Sequence, residues 1–514
     1  MGHAVSLPSH SVAIDGELAQ AARRHLIRED GQEDLCFALW RSSSGRTRKT
    51  AILFELVLPN PGERQVHGNA SFNHAYFERA TRLAFSKGCG LAFMHSHPVP
   101  GWQDMSPDDV AAERDHASAS YGATNLPLVG LTIGSDGTWS GRFWERIERG
   151  KFRRIWCGSV RVCGTGFQID FAGRVYPPPE ENEKQVRTRA AWGADAQAKI
   201  ARLRIGVVGL GSVGAIVAEA LARTGLENVV LIDFDRVEEH NLDRLLSATP
   251  RDARLSRLKV DVAADALEAH ATAMHFHADR VHRHLQEQSG YTAALDCDVL
   301  FSCADRPLPR HLLNLIAQAH LIPVIDGGIL ATQTKSGRLL SADWRSHVVG
   351  PHRRCLACIG QYDPGLVAAD REGLLDDPTY IAKLDKSNPL VARENVFVYS
   401  AACASAELLQ LLSYIISPLG IQSLPRQMYH SVPGILDSEF SPEGCDELCL
   451  VPRFLAAGDQ VTGILGIEPD RELTGESKAK YPVWARLMAN MLRRMRTWLR
   501  ALSRPRSRNS VAGM

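Results

Sequence analysis

The sequence has no excess of charge of either sign: 59 lysine and arginine residues face 58 aspartate and glutamate residues, which leaves a formal net charge of +1 over 514 residues. Proteins that hold nucleic acid by its phosphates usually carry a basic excess, so nucleic acid is not a predicted partner. No apolar run approaches the roughly 18 residues of a membrane span, and residues 1–10 lack the charged-then-apolar pattern of a secretion signal. These absences predict a cytoplasmic protein without a transmembrane segment.

The sequence also lacks the dense cysteines of a disulfide-stabilised secreted domain and shows no internal repeat. Its eleven cysteines are spread along the chain and are expected to be buried thiols, metal ligands or catalytic groups. Two close pairs stand apart, Cys355 with Cys358 and Cys445 with Cys449. Four thiolates would form a closed, structural zinc site. Unpaired core cysteines are the alternative.

Three consecutive prolines, Pro177–Pro179, and the mixed charge after them predict a linker over residues 176–186. Before the linker, hydrophobic patterning predicts strands and one helix. These elements are the strands Leu35–Trp40, Ala51–Leu58 and Gly90–Met94 and the helix Phe72–Lys87.

After the linker, predicted strands alternate with predicted helices, which is typical of a mostly parallel, doubly wound sheet. The strands are Leu203–Gly209, Asn228–Asp233, Asp298–Cys303 and Ile322–Asp326, and the helices are Ser212–Thr224, Arg257–His270, Arg310–Ala319 and Val398–Leu412. Residues 451–514 form a C-terminal extension in which Trp484–Arg504 predicts an amphipathic basic helix. Packing of that helix on the protein's own core is favoured over a membrane-surface or partner-binding role.

A short histidine motif follows the strand at Gly90–Met94, with His95 and His97 on either side of a serine. Side chains two residues apart on extended backbone project to the same side, so both imidazoles can reach one ion. Asp109 is a candidate third ligand, which leaves one position for water, as a catalytic zinc requires. Zinc lowers the pKa of that water to about 7, and a carboxylate is then needed to move the proton.

These residues resemble the JAMM/MPN metalloprotease motif, which is His-x-His-Pro, a spacer and then Ser-x-x-Asp. The resemblance implies a JAB/MPN α+β domain over residues 1–175 that hydrolyses isopeptide or peptide bonds after ubiquitin-like tails. It implies zinc ligation by His95, His97 and Asp109 and an oxyanion-supporting role for Ser106. The catalytic glutamate of the family corresponds better to Glu33 than to Glu55.

A glycine-rich turn follows the first strand after the linker and opens a helix, with glycines at Gly209, Gly211 and Gly214. Such glycines permit a tight turn and close approach of the backbone to phosphate, and the helix N-terminus favours anions. Asp233 ends the next strand, where a carboxylate can bind ribose hydroxyls. Taken alone, this pattern also suits a dinucleotide dehydrogenase.

The segment Asp233–Arg244 decides between these alternatives, because it resembles the Asp-x-Asp…Asn-Leu-x-Arg signature of the ThiF/MoeB superfamily of ubiquitin-activating enzymes. The resemblance covers residues 187–450 and implies a Rossmann-like adenylation domain that uses ATP and magnesium. It places Asn241, Arg244 and Lys259 at the ATP and assigns magnesium to Asp305.

The same resemblance implies a homodimer, because the family's entry arginine, here Arg187 in preference to Arg189, reaches ATP from the partner subunit. The family often carries two Cys-x-x-Cys pairs at the places of Cys355/Cys358 and Cys445/Cys449, although three residues separate the second pair here. No cysteine is assigned as a thioester nucleophile, and transfer of the adenylate to an external thiol is the expectation.

Together the two halves predict ATP-dependent adenylation of the C-terminal carboxylate of a ubiquitin-like modifier with a glycine-type tail, fused to a zinc hydrolase that processes or removes that modifier. A conjugating-enzyme-like protein is a further implied partner. Two alternatives stay open. One is sulfur-carrier activation, with a thiocarboxylate product, for cofactor or amino-acid biosynthesis. The other is a scaffold in which one site is inactive.

Overall fold

The computed structural model describes residues 7–67, 69–334, 336–376, 380, 395–420, 424–439 and 444–471. Within them the chain forms two large sheets, one on each side of the proline run, and a short two-stranded ribbon. The amphipathic helix predicted at Trp484–Arg504 lies outside the described residues, so it stays a prediction.

The first sheet contains nine strands in the order β11-β10-β1-β3-β2-β6-β7-β8-β9, and β4 and β5 form the separate ribbon. The strands are β1 (His10–Asp15), β2 (Leu35–Ser44), β3 (Lys49–Val57), β4 (Arg64–His67), β5 (Asn69–Phe72), β6 (Gly90–Ser96), β7 (Leu128–Ile133), β8 (Trp139–Glu148), β9 (Lys151–Trp156), β10 (Ser159–Cys163) and β11 (Phe167–Phe171). The helices are α1 (Gly16–Leu26), α2 (His74–Ser86) and α3 (Pro107–Thr124). The sheet is mixed, because β6 runs parallel to β7 while β2 runs antiparallel to both β3 and β6.

The second sheet contains eight strands in the order β14-β13-β12-β15-β16-β17-β18-β19. The strands are β12 (Arg204–Val208), β13 (Asn228–Ile232), β14 (His277–Val281), β15 (Val299–Ser302), β16 (Val324–Gln333), β17 (Leu339–Val349), β18 (Arg426–His430) and β19 (Ile435–Glu439). The helices are α4 (Val186–Trp192), α5 (Ala194–Arg202), α6 (Ser212–Arg223), α7 (Pro250–Arg254), α8 (Lys259–His270), α9 (Gln288–Leu295), α10 (Pro307–Ala319), α11 (Gly365–Arg371), α12 (Phe397–Ile416) and α13 (Thr462–Leu465).

This second sheet is doubly wound, because alternate strand residues face helices on opposite sides. On β12 and β13, Val207 and Leu231 pack in the core that contains α6, α8 and α12. Val208 and Ile232 pack in the core that contains α9 and α10. Both faces are therefore buried, which explains the continuous apolar runs in these strands.

The prediction of a mostly parallel sheet was correct only for its first half. The strands from β14 to β16 are parallel, but β16 to β19 pair in antiparallel fashion. The strands β17, β18 and β19 escaped prediction because their mixed polar and apolar residues give no long apolar run, and because β17 pairs with β18 across a stretch of chain that contains Cys355, Cys358 and α12. The predicted strand Ile322–Asp326 accordingly continues beyond its expected end, to Gln333.

The proline run does not separate two independent bodies. The first part of the chain precedes the proline run and the second part follows it. Residues of the first sheet, including Ile52 and Phe167, share one buried core with Ile205 and Tyr414 of the second part. Helix α12 alone among the described residues is long and apolar enough to span a membrane by length and composition, with half of its apolar window buried in the protein. A core helix can pass the same test of length and composition, and Ala404, Leu411 and Tyr414 of this helix pack in a buried core.

Candidate functional sites

His95 is buried near the end of β6, and His97 follows the strand. The His97 backbone N–H continues the ladder by donating to the Ile133 carbonyl at 2.9 Å. The backbone is therefore extended at both histidines, and their Nε2 atoms lie 3.2 Å apart. The two imidazoles project to the same side, as the sequence predicts.

Asp109 completes a triangle of ligand atoms from the first turn of α3. Its two carboxylate oxygens lie 3.5 Å from His95 Nε2 and 3.4 Å from His97 Nε2. Tetrahedral ligands about 2.0–2.1 Å from zinc are separated from one another by about 3.3 Å. The three side chains thus have the spacing of ligands that share one small ion, and their side chains are between 5% and 17% exposed.

Hydrogen bonds and burial set the protonation of these groups. Burial lowers the pKa of His95, whereas the hydrogen bond to Asp109 raises that of His97. Burial on its own would raise the pKa of Asp109, but the hydrogen bonds with His95 and His97 lower it far below its usual range. The carboxylate is therefore ionised, as a metal ligand must be.

Gln103 is a buried residue of this site that the sequence analysis missed. Its amide nitrogen lies 2.8 to 3.1 Å from the carbonyl oxygens of Val99, Pro100 and Gly101, which share its two hydrogens as acceptors, and this fixes the direction of the amide oxygen. That oxygen lies 3.3 Å from His97 Nδ1. An acceptor at Nδ1 holds the proton there and leaves Nε2 free to face an ion. No spacing rule marks such a glutamine in the sequence.

Glu33 lies next to the triangle because of strand register. Leu35 on β2 is paired with His95 on β6, so the residue two positions before Leu35 falls opposite His97. Burial raises the pKa of Glu33, and the charges of His97 and Asp109 act on it. Glu55 instead pairs with Lys87 on the surface, which favours Glu33 as the predicted proton carrier.

Ser106 caps α3, and its hydroxyl accepts a hydrogen bond from the Asp109 N–H at 3.1 Å. The Asp109 carboxylate in turn accepts from the Ser106 N–H at 2.8 Å. This reciprocal capping box stabilises the start of the helix and fixes Asp109 beside the histidines. The oxyanion-supporting role of Ser106 stays a prediction.

The glycine turn joins β12 to α6, as predicted. Gly209 has a φ of +93°, which favours glycine, and a Cβ on Gly214 would lie 1.9 Å from the Gly209 carbonyl oxygen. Nothing would lie within 4 Å of a Cβ on Gly211. Gly209 and Gly214 are thus required by the fold, while Gly211 leaves open space at the N-terminus of α6, where a phosphate would sit.

Asp233 and Asp235 link the turn to Lys259. Asp233 is buried, and its oxygens accept from the backbone N–H groups of Leu210 at 2.6 Å and Asp235 at 2.7 Å. Lys259 Nζ lies 2.8 Å from the more exposed Asp235 carboxylate. Burial raises the pKa of Asp233, and the charges of both aspartates outweigh burial and raise the pKa of Lys259. The ribose contact expected of Asp233 stays a prediction.

The remaining predicted ATP residues lie on other elements, and of these Asp305 alone has an interaction with this cluster within the described residues. Asp305 is exposed in the loop between β15 and α10, and its charge acts on Lys259. Arg244 Nη1 donates to the His240 carbonyl at 2.8 Å and to Asp243 at 2.9 Å. The Asn241 side chain caps its own turn by accepting from the Glu238 N–H. Arg187 is exposed on α4.

Two further contacts, near the start of α6 and next to Asp233, lie outside the predicted set. Asn395, just before α12, donates from Nδ2 to Ser212 Oγ at the start of α6 at 2.8 Å. The ring of Phe234 stacks on that of His284, with their centroids 3.5 Å apart, and burial lowers the pKa of His284 to about 4. These contacts join segments remote in sequence, so periodicity could not have indicated them.

The two cysteine pairs meet, as predicted. The sulfur atoms of Cys355, Cys358, Cys445 and Cys449 all lie within 4.8 Å of one another, and Cys355 Sγ is 3.7 Å from Cys449 Sγ. Sulfur ligands about 2.3 Å from a tetrahedral zinc lie about 3.8 Å apart. A hydrogen bond from Cys445 lowers the pKa of Cys355 to about 5. The donor set and spacing therefore fit a closed zinc site.

Comparison with known proteins assigns the part of the chain that carries the glycine turn. Residues 183–420 match the model of the ThiF family, so this part is a ThiF-family domain. The molybdopterin-synthase adenylyltransferase of Haemophilus influenzae is 30% identical over 136 residues, or 26% of this chain and 54% of that protein. The adenylyltransferase and sulfurtransferase uba4 of Aspergillus fumigatus is 28% identical over 172 residues, or 32% of this chain and 33% of that protein.

The ubiquitin-like modifier-activating enzyme 5 of Drosophila willistoni is also similar, with 31% identity over 143 residues, 26% of this chain and 34% of that protein. The chain thus spans between about a third and a half of the length of these curated relatives. A crystal structure of E. coli MccB with succinimide matches 53% of this chain and 74% of that chain, with a TM-score of 0.40 and 17% identity.

Proposed function

We propose that residues 187–450 adenylate the C-terminal carboxylate of a small carrier protein at the expense of ATP. The observation that carries this proposal is the cluster formed by the glycine turn of a ThiF-family domain, Lys259 and the neighbouring Asp305. A dehydrogenase has no need of a lysine held between carboxylates at this edge of the sheet.

The chemistry explains why such charges are needed. The carrier carboxylate attacks the α-phosphorus of ATP, a bond forms between them, and pyrophosphate leaves with the electrons of the broken bond. Both reactants are anions, so Arg244, Lys259 and Arg187 lower the repulsion and stabilise the departing pyrophosphate. Asp305 is the residue that would hold magnesium, which neutralises further phosphate charge when bound.

The comparisons favour a sulfur carrier over a protein modifier as the substrate. Two of the three relatives named above are a molybdopterin-synthase adenylyltransferase and an adenylyltransferase and sulfurtransferase. The cysteines agree with this choice, because each of the eleven in the chain is buried or only partly exposed. An external sulfur nucleophile would then take the acyl group from the adenylate. The relative that activates a ubiquitin-like modifier supports the other carrier class, to which a conjugating-enzyme-like partner belongs.

The test is ATP–pyrophosphate exchange with a glycine-tailed carrier. Because Arg244 and Asp305 stabilise charge that develops in the transition state, Arg244→Ala and Asp305→Ala are each expected to lower the exchange rate by about 10²–10³-fold. Arg149→Ala, an exposed arginine of the first part, is the control and should exchange at the wild-type rate. Equal exchange in all three variants would contradict the proposal. Mass spectrometry of the carrier then separates a thiocarboxylate from a protein conjugate.

Arg187 is proposed to act in the partner subunit's site, which its exposure on α4 permits. If so, mixing inactive Arg187→Ala with inactive Asp305→Ala chains should restore part of the exchange activity, since one site of each mixed dimer then has both residues. Each variant alone should remain inactive. No recovery in mixtures that sediment as dimers would contradict action across subunits.

A second candidate activity is favoured by the triangle of His95, His97 and Asp109. We infer a zinc hydrolase in residues 1–175 that cleaves the carrier's tail, with Glu33 moving protons and Ser106 supporting the oxyanion. A zinc ion held there would supply a water of lowered pKa as the nucleophile. The ThiF-family match begins at residue 183 and does not include these residues, so the support for this inference is the ligand geometry.

Cleavage of a carrier extended beyond its terminal glycine tests the hydrolase. His97→Ala is expected to abolish cleavage and to remove one zinc per chain, and Glu33→Gln to abolish cleavage while keeping the zinc, because Glu33 is proposed to move protons without binding the ion. Glu55→Gln serves as the matched control and should cleave normally. The four cysteines Cys355, Cys358, Cys445 and Cys449 are called the thiolate cluster below. A wild-type protein that holds zinc at the thiolate cluster alone would contradict the inference and support the alternative of a scaffold with one inactive site.

A further inference from the structure

Next to the triangle, a fully buried ion pair joins α3 to the sheet. The side chains of Glu113 on α3 and Arg142 on β8 have no solvent exposure. Arg142 Nε lies 3.1 and 3.0 Å from the two Glu113 oxygens, and Nη2 donates to one of them. Trp144 Nε1 donates to the other oxygen at 2.6 Å. The carboxylate therefore accepts from two side chains of β8, and its position is fixed.

The fully buried face of α3 is short of large apolar residues. It consists of Glu113, Ala117 and Ser120, whereas a surface helix usually docks by an apolar stripe. Beside this face, the His116 ring packs on Phe77 and the Tyr121 ring on Phe152. The hydrogen bonds from Arg142 and Trp144 to Glu113 act together with these ring contacts to set the rotation of α3 about its axis.

Asp109 lies four residues before Glu113 on the same helix, and residues at that spacing share a face. Any rotation of α3 that displaced Glu113 would carry the Asp109 oxygens away from the histidine Nε2 atoms, now 3.4 and 3.5 Å distant. The ion pair is thus one helical turn from the triangle and on the same side of α3.

The other arm of Arg142 reaches Thr132, the neighbour of His95. Its Nη1 donates to Thr132 Oγ1 at 2.6 Å, and that oxygen lies 3.3 Å from His95 Nε2. Thr132 on β7 is the register partner of His95 on β6. Gly130, two residues earlier, leaves room for the pair, because a Cβ there would lie 2.4 Å from the Glu113 oxygens. One guanidinium therefore contacts both the helix that carries Asp109 and the residue beside His95.

We propose that Glu113 and Arg142 are positioning residues that hold Asp109 and His95 at metal-binding distance. This inference rests on the proposed zinc site but concerns residues that do not ligate. A buried ion pair is a poor device for stability alone, since well-packed apolar residues often stabilise a core as well or better. Its arrangement is better explained by the geometry it imposes on the two ligands.

The test measures metal binding and stability separately. The variants are Glu113→Gln, the double variant Glu113→Leu with Arg142→Leu, and Asp298→Asn, which disturbs a different buried ion pair, that with Arg48. Zinc affinity is measured with a competing chromophoric chelator, and ligand geometry with the visible absorption of bound Co²⁺. The thiolate cluster in the same chain is an internal reference, because its sulfur-to-cobalt absorption reports only that site.

We expect Glu113→Gln and the double variant to bind zinc at the triangle about 10–100-fold more weakly and to show altered Co²⁺ absorption there. Asp298→Asn should lower the melting temperature but leave zinc affinity at the wild-type value. The double variant removes both charges together, so no unpaired buried charge remains and the protein should fold.

Wild-type zinc affinity and Co²⁺ absorption in both Glu113 variants would overturn the inference while leaving the zinc site intact. Equal metal content in the wild type and in the His95→Ala variant would instead overturn the zinc site itself, which is a different result. Equal loss of affinity in Asp298→Asn would also overturn the inference, because general destabilisation would then explain the effect.

Discussion

At the residue scale, burial decides the charge of Asp170 on β11. Burial raises the pKa of Asp170 to about 6, although the Trp139 N–H and the Gln168 side chain donate to it at 2.9 and 2.8 Å. An aspartate in an unfolded chain titrates near pH 4. The folded protein therefore holds this proton more tightly, and the resulting stability is present below about pH 4 and lost as the pH rises through about 6.

Asp170→Asn keeps an acceptor for both donors and removes the charge. The melting temperature of the variant should therefore rise above that of the wild type as the pH increases from about 4 to about 6, with a constant difference above that range. Thermal unfolding across this pH range measures the effect, and Asp108→Asn, at an exposed position of α3, is the control. A difference for Asp170→Asn that does not change with pH would show that burial does not set the charge.

At the element scale, the glycine turn separates what the fold requires from what a ligand requires. A Cβ on Gly214 would collide with the Gly209 carbonyl at 1.9 Å, whereas a Cβ on Gly211 would meet nothing within 4 Å. Gly214→Ala should therefore lower the free energy of unfolding by about 1–3 kcal/mol or more. Gly211→Ala should leave it within about 0.5 kcal/mol yet weaken ATP binding, because the methyl group occupies the approach of the phosphates.

Denaturant unfolding and nucleotide binding by calorimetry distinguish the two glycine variants. Unchanged ATP affinity in a stable Gly211→Ala protein would show that phosphate does not approach the turn at this position. An unaltered unfolding midpoint in Gly214→Ala would mean that the turn can relax around a side chain.

The thiolate cluster joins the loop after β17 to the segment before α13, so a zinc there would stabilise the second part of the chain. Cys449→Ser should release one zinc per chain and lower the melting temperature, by about 2–4 °C for each kcal/mol lost. His95→Ala is the matched change at the other site and should release one zinc with little effect on melting. Metal analysis and calorimetry measure both, and full zinc content in Cys449→Ser would contradict a four-cysteine site.

At the scale of the whole molecule, a buried charge cluster ties the two sheets together. Arg48, in the loop between β2 and β3, lies 2.6 Å from Asp298 and donates to the Cys297 carbonyl. Asp296 accepts from the backbone of Thr47 and Arg48 at 2.9 to 3.2 Å. Arg161 donates across the same boundary to the carbonyls of His320 and Leu321.

Because this boundary is buried, the two parts are expected to unfold together. Asp298→Ala leaves the Arg48 charge buried without its partner and should cost about 3–5 kcal/mol, lowering the melting temperature of both parts in one transition. Glu148→Ala, which breaks the exposed pair with Lys151, is the control and should cost less than about 1 kcal/mol. Two separate transitions in Asp298→Ala, seen by calorimetry, would contradict a single cooperative unit.

Much of the fold could be predicted because it is locally encoded. The strand predicted at Leu203–Gly209 is observed at Arg204–Val208, and the helix predicted at Ser212–Thr224 is observed at Ser212–Arg223. Period, glycines and caps act over a few residues, so they can be recognised without the rest of the molecule. The antiparallel strands β17 to β19 could not, since their mixed polar and apolar residues give no long apolar run and the pairing of β17 with β18 joins segments that α12 separates.

The sequence by itself determined which side chains are available for chemistry: the paired histidines, the four cysteines, and the glycine turn with its aspartates and lysine. Their types and short spacings limit what each group can bind. Only the tertiary structure decided what surrounds them. The amide of Gln103 on His97 and the Glu113–Arg142 pair beside Asp109 depend on side-chain packing across separate elements. The buried boundary that makes one body of two sheets depends in the same way on contacts between residues hundreds of positions apart, for which a linear pattern carries no signal.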